Sequence, residues 1–121
     1  MLNDLLVIGT GISGLTFAIK VAEQNPKLKI TIISKRDISE GNTRYAQGGI
    51  AVVKNLKDDS IDKHIRDTII AGDGECDRSV VKFVVEEANE RLDELINWGT
   101  EFDMNKEQLD LGIEGGHSEK R

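Results

Sequence analysis

The sequence predicts an α/β fold that starts with a β–α–β unit, and three features of its first 35 residues support this prediction. Residues 4–8 form an apolar run behind one polar residue, which is typical of a parallel strand covered on both faces. From Ile12 onward, apolar residues recur every three or four positions, as on one side of a helix. Residues 29–35 (KITIISK) are rich in β-branched residues and predict a second strand. Together they have the size of one right-handed crossover unit.

The helix of this unit is expected to pack a stripe of small and apolar side chains against the strands. The stripe contains Leu15, Ala18, Ile19 and Ala22. We expect the helix to end at Asn25, because Pro26 disfavours the helical conformation in the residue that precedes it.

Beyond this unit, the sequence predicts two amphipathic helices. The first is capped by Ser60 and ends at Gly72, and the second starts near Asp77 or Ser79 and ends at Gly99. The inward-facing residues are Ile61, Ile65 and Ile69 in the first helix and Val81, Val84, Ala88, Leu92 and Leu95 in the second.

The remaining segments predict little regular structure. Residues 36–49 are interpreted as a polar loop, residues 50–53 as a short strand or a buried extended segment, and the last twenty residues show no periodicity. An open doubly wound sheet needs several parallel strands, whereas only two strands and one fragment are predicted. We therefore expect an incomplete doubly wound domain, and we interpret residues 1–121 as the N-terminal piece of a larger protein.

Composition and charge exclude several classes of protein. With 38% apolar and 31% charged residues, the chain has an ordinary soluble profile, and its apolar runs are too short to cross a bilayer. The first apolar run lacks the basic segment that precedes a signal peptide core. A net charge of −6 argues against a nucleic-acid partner. The single cysteine, Cys76, allows no internal disulfide and no cysteine-only metal site, and it favours the cytoplasm.

Three glycines directly after the first predicted strand match the pattern G-x-G-x-x-G of dinucleotide-binding proteins. Gly9 suits the tight turn, Gly11 the close approach of a pyrophosphate, and Gly14 the contact between helix and strand. The amides of Ile12 and Ser13 would lie at the helix N-terminus, where the helix dipole favours an anion. This Rossmann-like loop is therefore predicted to bind the pyrophosphate of an adenine dinucleotide.

The end of the second predicted strand leaves the identity of the dinucleotide open. An acidic residue is expected about 20 positions after the glycines, where it would bind the ribose hydroxyls. That position holds Ser34, followed by Lys35 and Arg36. Two cations there suit a ribose 2′-phosphate and favour NADP, or they are solvated charges at the end of a strand.

A second glycine-containing loop carries a resemblance to a known family. Residues 40–53 (EGNTRYAQGGIAVV) combine small residues, two adjacent glycines and several hydrogen-bond donors, which suits backbone wrapped around a flat polar ring or a phosphate. The chain resembles the L-aspartate oxidases over essentially its whole length, and also the related flavoproteins of succinate dehydrogenase and fumarate reductase. The residues that carry the resemblance are 9–14 (GTGISG), 34–35 (SK), 42–49 (NTRYAQGG), 67–72 (DTIIAG), 76–78 (CDR) and 114–118 (EGGHS).

This resemblance implies FAD as a non-covalent cofactor, since no histidine lies between Glu40 and Val53, where the dehydrogenase branch attaches its flavin. It also implies that a serine–lysine pair replaces the acidic residue of other FAD proteins, so the missing carboxylate no longer favours NADP. The residues expected on the pyrophosphate and adenosine side are Gly9, Thr10, Gly11, Ile12, Ser13, Gly14, Ser34 and Lys35. Those expected along the flavin and its ribityl-phosphate arm are Asn42, Thr43, Arg44, Tyr45, Ala46, Gln47, Gly48 and Gly49.

Glu114 is the one substrate residue that the resemblance places in this chain. It matches a family glutamate that meets the amino group of the substrate, and a carboxylate opposite an ammonium would distinguish aspartate from succinate. We interpret His117 as structural, and His64, on the flank of a helix, as a surface or boundary residue.

The reaction that the resemblance implies is oxidation of L-aspartate to iminoaspartate in NAD biosynthesis, with hydride passing from Cα to flavin N5 and with oxygen or fumarate as the final acceptor. The family's catalytic arginine and substrate histidines lie beyond residue 121, in a capping domain and the rest of the FAD domain, so the chain alone is expected to be inactive. A fragment of a succinate dehydrogenase or fumarate reductase flavoprotein and a non-catalytic NADP-binding module are the alternatives. Any protein partner is expected to be the quinolinate synthase of the same pathway.

Overall fold

The computed structural model describes residues 2–121 of the chain. Its elements belong to two compact units, an amino-terminal unit that ends at Gly48 and a carboxy-terminal unit from Gly49 to Arg121. Within residues 2–121, no helix is long and apolar enough to cross a membrane.

The amino-terminal unit contains the predicted β–α–β arrangement, and its strand–helix–strand order is confirmed. Its elements are strand β1 (Leu5–Ile8), helix α1 (Ile12–Gln24), strand β2 (Ile30–Ile33) and a one-turn helix α2 (Asn42–Tyr45). The two strands pair in parallel with Leu5 opposite Ile30. Both strands are shorter than predicted, and the Asp4 carboxylate accepts a hydrogen bond from the Lys29 amide (2.9 Å) where the pairing begins.

Only one face of this two-stranded sheet is covered within the unit. Val7 is buried next to Gly14 of α1, whereas Leu6 and Ile8 are 53% and 80% exposed. Successive strand residues point to opposite faces, and α1 packs on one of them. The expectation of a strand covered on both faces is therefore wrong for this unit.

Helix α1 ends as predicted, since Asn25 before Pro26 is its C-cap. Its buried stripe is narrower than predicted, because Ala18 is buried while Ile19 and Ala22 are exposed. Two strands of four residues each cover only a narrow strip of a helix surface, which accounts for this difference.

The carboxy-terminal unit is built on helices α3 (Ile61–Ala71) and α4 (Arg78–Asn97), which pack against each other. Both start at the predicted caps. The Ser60 hydroxyl accepts a hydrogen bond from the Lys63 amide (3.2 Å), and the Asp77 carboxylate accepts one from the Ser79 amide (2.8 Å). After α4, Gly99 adopts a φ of +94°, the left-handed conformation that commonly ends a helix.

The core of this unit lies between the two helices and the segment that precedes them. Its buried apolar residues are Val52, Val53, Ile65, Val85 and Leu92. Residues 50–53 lie outside any strand, and the Val53 carbonyl accepts a hydrogen bond from the Asn89 side chain (3.2 Å). The sequence predicts that Val84 faces inward, and this prediction is wrong: Val84 is 56% exposed, because the helical period carries the stripe from Val81 to Val85.

Two short elements are not predicted by the sequence. Helix α2 lies in the segment interpreted as a polar loop, and its single turn is too short to show a helical period. Strands β3 (Met104–Asn105) and β4 (Gln108–Leu109) form an antiparallel hairpin in the segment without periodicity. Its turn places Lys106 at a φ of 60°, a position where glycine or asparagine is the usual signal.

The close contact between α1 and β1 predicts that one methyl group added at Gly14 destabilises the fold. A Cβ added at Gly14 would lie 2.4 Å from the Gly9 carbonyl oxygen. We expect Gly14→Ala to lower the free energy of unfolding by about 1–3 kcal/mol, although alanine favours helices by about 1 kcal/mol over glycine. Urea unfolding of the chain measures this change. Gly48→Ala is the matched control, because a Cβ there meets no atom within 4 Å, and equal stability of the two variants would contradict the clash.

Candidate functional site

The glycine loop brings the start of α1 against the end of β1. The Gly9 amide donates to the Ile33 carbonyl (2.8 Å), which continues the parallel pairing by one residue. Gly9 then turns the chain at a φ of +110°, a conformation that favours glycine. Since Gly14 touches the Gly9 carbonyl without a side chain between them, the first turn of the helix lies directly on this turn.

The first turn of α1 presents amides that have no acceptor inside the helix, as in every α-helix. Ser13 and Gly14 carry two of these amides, and the N-cap residue Gly11 has no side chain to satisfy them. A Cβ at Gly11 would meet only the Thr43 hydroxyl, at 3.7 Å, so the approach to the helix end is open. Free amides at the positive end of a helix dipole fit an anion with several oxygen atoms, such as a phosphate.

The second predicted loop meets the first at Thr43. The Ile12 amide donates a hydrogen bond to the Thr43 hydroxyl (3.1 Å), which caps the helix from outside its own sequence. The oxygen of Thr43 therefore occupies the place at Ile12 that the sequence assigns to a pyrophosphate oxygen. A ligand oxygen at this amide would have to displace the hydroxyl.

The end of β2 also meets the glycine loop. The Thr10 hydroxyl donates to the Ser34 hydroxyl (3.3 Å), and Ser34 in turn accepts from the Arg36 amide (3.4 Å). Lys35 is exposed beside them. The structure thus brings together the residues that were predicted for the pyrophosphate and those predicted for the adenosine side.

The rest of the second loop is held by contacts of its own. The Tyr45 hydroxyl donates to the Glu40 carboxylate (3.0 Å), and the Arg44 guanidinium donates to the Ser39 hydroxyl (3.3 Å). The Ser39 amide and hydroxyl bind Asp37, and these hydrogen bonds lower the pKa of the Asp37 carboxyl. The remaining predicted residues of this loop in the amino-terminal unit, all exposed, are Asn42, Ala46, Gln47 and Gly48.

Two predicted site residues lie in the carboxy-terminal unit. Gly49 is its first residue, and Glu114 is exposed in a segment without helix or strand. The Glu114 amide donates to Nδ1 of His117 (3.3 Å), and the His117 amide donates to the Glu114 carbonyl (3.0 Å). His117 therefore shapes the turn that carries Glu114.

His64 is buried, so its interpretation as a surface or boundary residue is wrong. Burial lowers the pKa of its imidazole, and the nearby Arg121 and His117 lower this pKa further. Its ring lies edge-on to that of His117, with 6.2 Å between the ring centroids. The spacing indicates this position, because His64 follows Ile61 by three residues and directly precedes the buried Ile65 on the same helix.

The sequence does not predict an ion-pair cluster around Arg121. Arg121 Nε and Nη2 donate to the two oxygens of Asp59 (2.7 and 2.8 Å), and Nη1 donates to Oδ2 of Asp67 (2.8 Å). The arginine side chain is fully buried. The partners are 62 and 54 positions away in the sequence, a separation that no local pattern reveals.

Asp67 is held in its ionised form by this cluster. Burial acts to raise the pKa of its carboxyl, but hydrogen bonds from the Ser118 amide, the Ser118 hydroxyl and Arg121 outweigh burial and lower the pKa to about 2. An ordinary aspartate has a pKa of 3.8.

The parallel β–α–β unit and the open helix N-terminus at its glycine turn define a nucleotide-binding α/β protein. The chain belongs to the FAD binding domain family, whose sequence model matches residues 4–121. FAD is the cofactor of this family.

L-Aspartate oxidases are among the similar proteins. The enzyme of Vibrio cholerae is 44% identical over an alignment of 124 residues, gaps included, that covers 98% of this chain and 22% of the relative. The Yersinia pestis enzyme is 42% identical, covering 99% and 23%, and the chloroplastic enzyme of Arabidopsis thaliana is 43% identical, covering 98% and 18%. The chain therefore spans about a fifth of the length of the curated relatives it matches.

Solved flavoprotein structures share the fold. A variant of the E. coli quinol fumarate reductase is 32% identical with a TM-score of 0.86, covering 98% of this chain and 20% of that one. The Sdh1 complex of Mycobacterium smegmatis is 30% identical with a TM-score of 0.85, at the same coverage. The predicted α/β class is confirmed, with a small parallel sheet and helices.

The depressed pKa of Asp67 predicts how stability depends on pH. Ionised Asp67 stabilises the folded chain above about pH 4, and this contribution is lost as the pH falls through about 2. We expect Asp67→Asn to be less stable than the unchanged chain near neutral pH, and the difference to shrink below about pH 4. Urea unfolding at several pH values measures it. A difference that stays constant over this range would contradict the assignment.

Proposed function

We propose that this chain is the N-terminal, FAD-binding part of an L-aspartate oxidase, which oxidises L-aspartate to iminoaspartate in NAD biosynthesis. The observation that carries the proposal is the hydrogen bond between the Ile12 amide and the Thr43 hydroxyl (3.1 Å). It joins the dinucleotide loop to the loop whose sequence resembles the oxidases. Identities of 44% and 42% to bacterial L-aspartate oxidases support this substrate.

The amino-terminal unit has the donors that the pyrophosphate of FAD needs. We propose that the amides of Ser13 and Gly14 donate to its oxygens, while Gly11 leaves room for them. Ser34 and Lys35, which lie beside Thr10, would contact the adenosine side, and residues 42–49 would line the flavin. When bound, FAD supplies the acceptor for a hydride from the substrate.

Glu114 is the proposed contact for the amino group of aspartate. Its side chain is exposed, and within residues 2–121 its carboxylate has no hydrogen bond or ion pair. A free carboxylate binds an ammonium group through charge-assisted hydrogen bonds. Succinate cannot make these bonds, because it has no ammonium group. The groups that bind the substrate carboxylates and take up its proton are proposed to lie outside this chain, which alone would be inactive.

Two alternatives are separated by specific residues. A succinate dehydrogenase or fumarate reductase type of flavoprotein is supported by the structural similarity to both enzymes, but it gives no role to the free carboxylate of Glu114. An NADP-binding module is supported by the exposed cations Lys35 and Arg36 at the end of β2. That module would bind NADP and no flavin.

Further features of the proposal concern the setting of the chain. The open face of the sheet supports a doubly wound arrangement, since parallel sheets are normally covered on both faces. We propose that residues 1–121 form the N-terminal part of one FAD-binding domain. We also propose quinolinate synthase as a partner, which co-purification tests. We propose a cytoplasmic location, which cell fractionation tests; the Arabidopsis relative is named chloroplastic.

The cofactor is tested by titrating the purified chain with FAD and with NADP. We expect quenching of flavin fluorescence on binding, and weaker or undetectable binding of NADP measured by calorimetry. Gly11→Val should weaken FAD binding at least tenfold, roughly 1.4 kcal/mol, because the side chain fills the approach to the amides. Gly112→Val, which lies outside both loops, is the control, since a Cβ at Gly112 meets no atom within 4 Å. Tight NADP binding without flavin binding would overturn the proposal.

The substrate is tested on the protein expressed from the complete reading frame that contains these residues. We expect aspartate-dependent reduction of its flavin, and Glu114→Gln should raise the KM for aspartate about tenfold to a hundredfold, because a charged hydrogen bond contributes about 1.5–3 kcal/mol. Glu107→Gln in the exposed hairpin turn is the control. Reduction by succinate but not by aspartate would favour the dehydrogenase alternative.

A further inference from the structure

Glu114 sits in a short turn with little freedom. Residues 114–117, the Glu114 turn, are closed by the two hydrogen bonds between Glu114 and His117. Gly116 adopts a φ of +92°, and a Cβ there would lie 3.3 Å from the Cβ of Ala71 on α3. The turn therefore packs closely against this helix.

The segment from the Glu114 turn to Arg121 is bound along one side of α3. Lys63 pairs with Glu119 (2.7 Å), the ring of His64 meets that of His117, Asp67 binds Ser118, and Ala71 meets Gly116. The four helix positions are separated by one, three and four residues, a spacing that places them on one face. The same helix buries Ile65 in the core of the unit, so the core fixes the surface on which the segment rests.

Asp67 is at the centre of this attachment. Its Oδ2 atom accepts three hydrogen bonds, from the Ser118 amide (2.8 Å), the Ser118 hydroxyl (2.7 Å) and Arg121 Nη1 (2.8 Å). Arg121 is itself held on both oxygens of the buried Asp59. Hydrogen bonds to a carboxylate are short and about twice as strong as neutral ones, so the carboxylate of Asp67 fixes the start and the end of residues 118–121.

Hydrogen bonds hold Asp67, Ser118 and Arg121 in place, while the carboxylate of Glu114 has no partner in the part of the chain that the structure describes. We propose that Asp67 is a positioning residue for substrate recognition: through Ser118 and Arg121 it holds the Glu114 turn so that the carboxylate of Glu114 selects an amino-dicarboxylate over a dicarboxylate without an amino group. This inference rests on the proposed function and adds to it a residue that does not touch the substrate.

The expected effect is selective. If Asp67 acts only through Glu114, a change at Asp67 weakens the contact with the substrate ammonium and leaves the contacts with its carboxylates intact. Succinate has the carboxylates and lacks the ammonium, so its binding should be insensitive to Asp67. A general loss of structure would weaken both ligands alike.

The test uses the flavin-loaded protein expressed from the complete reading frame. We expect Asp67→Asn to raise the KM for L-aspartate about tenfold, with kcat and the inhibition constant of succinate changed less than about twofold. Ser118→Ala, which keeps the pair between Asp67 and Arg121, should give a smaller shift in the same direction. Asp62→Asn is the matched control, because Asp62 is an exposed carboxylate on the same helix that makes no contact with the segment among those described. Melting temperature and flavin content report the folding of each variant.

A double-mutant cycle shows whether Asp67 acts through Glu114. In a Glu114→Gln background, Asp67→Asn should change the KM for aspartate by less than about twofold, since the contact it positions is already lost. The inference would be overturned if the variants bound aspartate and succinate equally weakly, or if the two substitutions had additive effects in the cycle. Folded variants with an unchanged KM for aspartate would also overturn it. If the unchanged protein shows no aspartate-dependent flavin reduction, the proposed function fails and this inference fails with it. If the unchanged protein is active and only the variants depart from expectation, the inference fails alone.

Discussion

The contact between Gly14 and the Gly9 carbonyl is the constraint on which the amino-terminal unit depends. A Cβ at Gly14 would lie 2.4 Å from that oxygen, so the helix reaches the strand only because a side chain is missing. This approach places the free amides of the first helical turn at the end of β1, next to Ser34 at the end of β2. The donors that suit a pyrophosphate therefore follow from a packing requirement, since the helix that covers the sheet also directs its N-terminus toward the carboxyl end of β1.

In the carboxy-terminal unit, ion pairs instead of close backbone packing hold the last segment of the chain in place. A buried arginine is costly unless it is paired, and each of the three guanidinium nitrogens of Arg121 donates a hydrogen bond to Asp59 or Asp67. Such a cluster tolerates few alternative geometries, which suits a segment that has neither helix nor strand to define it. In the amino-terminal unit the amides of Ser13 and Gly14 have no acceptor within α1, and in the carboxy-terminal unit the carboxylate of Glu114 has no partner within residues 2–121.

Local patterns in the sequence predict most elements but few of the contacts between them. The glycine spacing, Asn25 before Pro26 and the cap at Ser60 act on their immediate neighbours, so the β–α–β order and the ends of three helices follow from sequence. The hairpin at 104–109 turns through Lys106 without the usual glycine, and therefore gives no signal. The pairing of Arg121 with Asp59, and the bond between Thr43 and Ile12, join distant positions that only the folded chain brings together.

The proposed FAD site requires that the pyrophosphate bind at the N-terminus of α1. Amide resonances of the ¹⁵N-labelled chain, recorded during addition of FAD, ADP or riboflavin, test it most directly. We expect FAD and ADP to shift the amide resonances of Ser13 and Gly14 most strongly, and riboflavin, which has no phosphate, to leave them unchanged. Shifts by FAD that leave these two amides unchanged and are largest elsewhere in the chain would contradict it.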